Sequence, residues 1–120
     1  MLTPFGRALR KHRIYKNISL REMAGRMDVA ASFLSAVENG RKSIPENFAA
    51  KAAAALDLDL TQRLDLQEKA DVSQKDYTIS TGNKSDADRE LVAVFARQFG
   101  GLDENEKREI MSILKGNRRE

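Results

Sequence analysis

The side chains with scope for chemistry lie between Ser19 and Lys42. Ser19-Leu20-Arg21-Glu22 has the form of a helix capping box, and a helix starting there offers free first-turn amides to an anion. Ser32, Ser35 and Asn39 follow as small hydrogen-bonding groups, and Arg41-Lys42 places two cations directly after Gly40. Bond-making chemistry finds little support. Ser35 would need a base to become a nucleophile, and none is placed for it. His12 is the single histidine; with no carboxylate or second histidine in a recognisable spacing, it reads as a helix-core or boundary residue. Asp103 and Glu106 could pair as acid and base, but a capping box accounts for both. There is no cysteine, which excludes disulfides and thiolate metal sites. The sequence therefore predicts a non-enzyme with no metal and no cofactor.

Charge is distributed unevenly. Residues 1–56 carry ten of the 21 Lys/Arg and four of the 18 acids, so this half stands at +6 and the remaining 64 residues at −3. A basic module thus precedes a mildly acidic one, which favours a polyanion partner for the first and a protein partner for the second. No apolar stretch approaches the ~20 residues of a membrane span, and Met1-Leu2-Thr3-Pro4 leads into patterned sequence without a signal-peptide core. The expectation is a soluble cytoplasmic protein with no membrane partner.

The elements that must position these groups read as helices, because apolar residues recur at spacings of three and four. A first, basic helix runs from about Thr3 to Tyr15 with Phe5, Ala8, Leu9 and His12 on one stripe. A second starts at Ser19, buries Met23, Ala24 and Met27, and is interrupted at Asp28-Val29. A third spans about 31–39 with Phe33, Leu34 and Val37 apolar and Gly40 as its left-handed cap. Pro45 suits the first position of a fourth helix, which buries Phe48, Ala49, Ala52, Ala53 and Leu56. Asp59-Leu60-Thr61-Gln62 caps a fifth, running to about Ala70 with Leu60, Leu64 and Leu66 inward. The chain then turns polar, and the alternation at Tyr77-Thr78-Ile79 predicts a short strand. Two more helices are expected at about 86–99 and 103–115, broken at Gly100-Gly101, with a frayed tail beyond Gly116.

Two short helices about a turn of roughly three residues have the layout of a groove-reading helix-turn-helix. Ile18-Ser19-Leu20-Arg21-Glu22-Met23-Ala24, then Phe33-Leu34-Ser35-Ala36-Val37-Glu38-Asn39-Gly40-Arg41-Lys42, then Pro45, resemble the Xre/Cro-type (phage-repressor-like) regulator family over residues 3–66. The resemblance implies that the second helix rests its N-terminus, at Ser19 and Leu20, on a DNA phosphate, which the free amides permit whatever the side chain. It implies that the third helix enters the major groove with Ala30, Ala31, Ser32, Ser35, Ala36 and Asn39 towards the bases. Arg41 and Lys42 are the expected phosphate clamps, with Arg10 and Lys16 as candidates from the first helix. Arg13 and Glu38 occupy the positions of a family ion pair tying the first helix to the third. Leu20 departs from the family's usual Gln, and Asp28 from its usual turn Gly.

The expected fold class is mainly α: a five-helix repressor-like DNA-binding domain over residues 1–70, a linker with a short strand over 71–85, and a helical dimerisation or partner segment over 86–116. The strand is expected to pair with its copy in a second subunit. Tyr77, Ile79, Leu91, Phe95, Phe99, Ile110 and Leu114 would then form the dimer contact; the equal alternative is that the apolar stripes of 91–99 and 110–114 cover the fifth helix. The leading function is a repressor or autoregulator that binds a near-palindromic double-stranded operator as a homodimer. The alternative is an antitoxin-like or adaptor protein whose C-terminal half binds a toxin or effector protein while the N-terminal domain autoregulates its operon.

Overall fold

The computed structural model describes residues 1–117, and the tail expected to fray lies outside them from residue 118 onward. The chain divides into two units, Met1–Tyr77 and a second starting at Thr78.

The first unit holds five helices: α1 (Pro4–Lys16), α2 (Leu20–Met27), α3 (Ala31–Glu38), α4 (Phe48–Ala55) and α5 (Leu60–Asp71). Their boundaries follow from local chemistry. The Thr3 hydroxyl accepts from the Gly6 amide at 3.0 Å to cap α1, and Pro4 opens it without losing a bond. Asn17 and Asp28 end α1 and α2 with φ of 59° and 58°, left-handed geometry that Asn and Asp tolerate better than most residues. Gly40 closes the third segment at φ 75°. Asp59 and Gln62 form the full reciprocal box ahead of α5. Phe5, Leu9, Met23, Leu34, Val37, Leu56 and Leu66 are the fully buried centre, and Phe48 meets Phe5 and Phe33 edge-on at 6.3 and 6.2 Å.

Several expectations are corrected. The fourth helix begins at Phe48 and not at Pro45. Pro45 instead heads a turn in which the Phe48 amide donates to its carbonyl at 3.1 Å, and Asn47 passes through φ 63° before the helix can start. Leu60 and Leu64 are 70% and 62% exposed. At ~100° per residue the inward face of α5 passes through Leu66 and Ala70, leaving Leu60 and Leu64 on the far side. Beyond α5 the chain stays tied to the first unit. The Phe5 amide donates to the Ser73 hydroxyl at 2.9 Å, which itself donates to the Lys69 carbonyl at 2.6 Å. The Ile44 amide donates to the Gln74 side chain at 3.1 Å.

The second unit contains α6 (Asp86–Gln98), a 3-10 turn (Phe99–Gly101), α7 (Glu104–Ser112) and a final turn (Ile113–Asn117). Ser85 caps α6, and Asp103 and Glu106 form a full capping box on α7. Neither helix buries a residue. The strand expected at Tyr77-Thr78-Ile79 does not form, and there is no strand among the described residues. A three-residue alternation is too short to persist without a ladder partner. The Tyr77 hydroxyl instead donates to the Asp71 carbonyl. With the strand goes the antiparallel ribbon that was to join two subunits. No helix among the described residues is long and apolar enough to cross a membrane.

Candidate nucleic-acid interface

The α2–turn–α3 motif is held from beneath. Met23, Ala24 and Met27 of α2 and Leu34 and Val37 of α3 face the common core. The Val29 amide donates to the Ala24 carbonyl at 3.0 Å, closing the turn behind left-handed Asp28. Helix α1 crosses under the end of α3 at Gly6, where a Cβ would lie 2.1 Å from the Glu38 carbonyl oxygen. That oxygen accepts from the Thr3 amide at 3.0 Å and the Thr3 hydroxyl at 3.3 Å. Beside this crossing the buried Arg13 guanidinium pairs with the Glu38 carboxylate, its second nitrogen 3.4 Å from the other oxygen. Burial pushes the Glu38 carboxyl above its usual range, and the bond and charge of Arg13 oppose that rise. A pair removed from water this way specifies orientation more than it adds net stability.

The opposite side of α3 faces solvent. Ala30 and Ser32 are exposed; Ser35, Ala36 and Asn39 are half-buried; Ala31 packs partly against the core. The Asn39 side-chain amide donates to the Ser35 carbonyl at 2.9 Å, capping its own helix. The Ala36 carbonyl accepts from the Arg41 and Lys42 amides at 2.9 and 3.2 Å. The chain past Gly40 therefore folds back on the end of α3 and leaves both cations exposed. Arg10 is exposed on α1, within electrostatic reach of Glu38.

At the start of α2 the Ser19 hydroxyl accepts from the Glu22 amide at 3.0 Å. The expected reciprocal arm is replaced: the Glu22 carboxylate pairs with Arg26 at 2.9 Å. Leu20 packs partly against the core. Lys16 donates to the Asp57 carbonyl at 3.0 Å, bridging α1 to the approach of α5. In the second unit Leu91, Phe95, Phe99 and Leu114 are exposed and Ile110 is half-buried, with the Phe95 and Phe99 rings 5.7 Å apart. Ile79 is exposed in irregular backbone.

Four supporting residues of the site went unread in the sequence. Gly6 is a lone glycine inside a helical pattern, a signal of close packing. Arg26, which also donates to the Ala55 carbonyl at 2.9 Å, stands four residues beyond Glu22, a readable helix-surface pair. Ser73 and Gln74 carried no signal. His12 lines a hollow with Arg7, Lys11, Asp65 and Lys69, and no group of His, Cys, Asp and Glu among the described residues could hold a metal.

A short capped helix, a tight turn and a second helix with its outer face bare define a DNA-reading module. The helix-turn-helix domain family matches residues 4–76, more than half the chain. The chain belongs to that family, and its class is that of helix-turn-helix DNA-binding transcriptional regulators. The crystal structure of the clp gene regulator ClgR from C. glutamicum is similar, with 33% sequence identity and a TM-score of 0.49 over 58% of this chain and 87% of that one. No curated protein matches the chain.

Proposed function

We propose that the protein is a repressor or autoregulator that binds a near-palindromic operator as a homodimer, with α3 in the major groove and no catalytic role. The observation that carries this reading is the bare outer face of α3 flanked by exposed Arg41 and Lys42, on a helix locked from behind by Gly6 and the Arg13–Glu38 pair. The free amides at the start of α2 supply a phosphate seat, and Arg10, Arg41 and Lys42 supply further phosphate contacts. Lys16 joins them by exchanging its Asp57 bond for a phosphate.

Dimerisation falls to the second unit. Its helices bury nothing of their own while exposing Leu91, Phe95, Phe99 and Leu114, and a second copy covering them would supply the missing core. Two groove-reading helices would then reach half-sites about one turn, ~34 Å, apart.

The test is binding to the protein's own promoter region across a range of salt. A dimer doubling three or four cationic contacts should give a log–log slope steeper than about −3; a flat plot removes DNA as the main partner. Sedimentation at micromolar concentration, of the full chain and of residues 1–77, checks the dimer. A monomeric full chain would hand the apolar face of the second unit to a different protein, as an antitoxin-like or adaptor role requires.

A further inference from the structure

From the composition and engagement of the reading face we infer that α3 selects its sites through thymine methyl groups and not through hydrogen-bonded forks to guanine or adenine. The inference rests on the DNA-binding reading above and deepens it. The two commonest base-specific forks need Arg or Lys against guanine, or Asn or Gln against adenine. Between residues 30 and 39 only Asn39 belongs to that set, and its amide nitrogen is already bonded to the Ser35 carbonyl at the end of its own helix. Reaching a base would cost that cap. Arg41 and Lys42 stand beyond the left-handed turn at Gly40, with their backbones folded against Ala36, at the end of the helix where the phosphates pass.

What remains on the outer face is short. Leu34, Val37 and Glu38 mark the buried side of α3; Ser32 and Ala36 lie roughly opposite at ~100° per residue, and exposed Ala30 precedes the helix. Side chains of one or two heavy atoms let the helix backbone sit close to the groove floor. There an alanine methyl can meet the thymine 5-methyl, the apolar mark that the major groove displays. Ser32 and Ser35 can donate or accept and discriminate little between bases. Ala31 turns towards the core and adds nothing.

The experiment starts with sites selected by the full-length protein from random duplex DNA. Each thymine of the selected site is then replaced singly by uracil, which removes only the methyl, and each guanine singly by 7-deazaguanine, which removes the N7 acceptor. Losing one buried methyl should weaken binding about fourfold, at thymines within the half-sites, while the 7-deazaguanine duplexes bind as the parent does. Ala36→Gly, its fold checked by circular dichroism, should abolish the uracil penalty at one thymine and leave the others. A loss of about fivefold or more at a guanine, with uracil tolerated everywhere, would overturn the inference and leave DNA binding standing. So would salt-sensitive binding with no selected sequence. Absence of binding to any duplex would instead overturn the reading on which the inference rests.

Discussion

Replacing Gly6 by alanine tests the closest approach in the first unit. A Cβ there would sit 2.1 Å from the Glu38 carbonyl oxygen and 2.8 Å from its carbon. Both are backbone atoms, so no side-chain rotation relieves the contact. Restoring van der Waals distance requires α1 and the end of α3 to separate by about 1 Å in a close-packed interior. An inserted methylene of this kind costs about 1–3 kcal/mol. The separation also stretches the two Thr3 bonds to the same oxygen, each contributing about 1 kcal/mol. The better helix propensity of alanine returns about 1 kcal/mol. Gly6→Ala should therefore destabilise the unit by about 3 kcal/mol and lower its melting temperature by roughly 12–24 °C, at 4–8 °C per kcal/mol for a domain this small. Gly25→Ala is the control. Gly25 lies inside α2 with nothing within 4 Å of the added atom, so the same change should stabilise by up to ~1 kcal/mol. Thermal melts followed at 222 nm compare the two. A Gly6→Ala protein melting at or above the parent would refute the argument, whatever Gly25→Ala does.

Arg13→Ala should cost about 3–5 kcal/mol in denaturant unfolding because it strands the buried Glu38 charge, whereas Arg13→Met with Glu38→Leu should fall close to the parent; equal losses for the two would show that packing and not charge sets the cost. His12 is held below its usual value of 6.5, first by burial and then by Lys11, with Asp65 opposing. The folded state thus binds that proton less tightly than the unfolded chain, and the stability His12 contributes is complete above about pH 6.5 and lost as pH falls through that value towards the folded pKa. Melting temperatures should drop between pH 7.5 and 5.5 in the parent and drop less in His12→Gln; parallel profiles would exclude this source. Ser35→Glu should abolish protection of the operator with the circular dichroism spectrum unchanged, since a carboxylate on the outer face of α3 meets the groove and its phosphates; an intact footprint would mean that α3 is not the reader.

The helical character of the chain, the α2–turn–α3 motif and the capping residues at Ser19, Asp59 and Asp103 were legible in the sequence, because spacing and caps act over only a few residues. The same locality explains the left-handed stops at Asp28 and Gly40. Local alternation misled at Tyr77-Thr78-Ile79, where a strand needs a partner that no neighbouring residue can supply. Leu60 and Leu64 are leucines on a real helix, yet which face turns inward depends on where α1 and α4 lie. The engagement of Asn39 by Ser35 and of Lys16 by Asp57 was likewise undecided until the backbone carbonyls had positions. The sequence by itself determined the helices, the motif and the basic first half, all properties of short windows. Tertiary structure alone decided that Gly6 must be glycine and that Ser73 and Gln74 fasten the chain back onto the first unit. Each of these depends on atoms brought within bonding or clashing distance by the packing of whole helices, which no local pattern encodes.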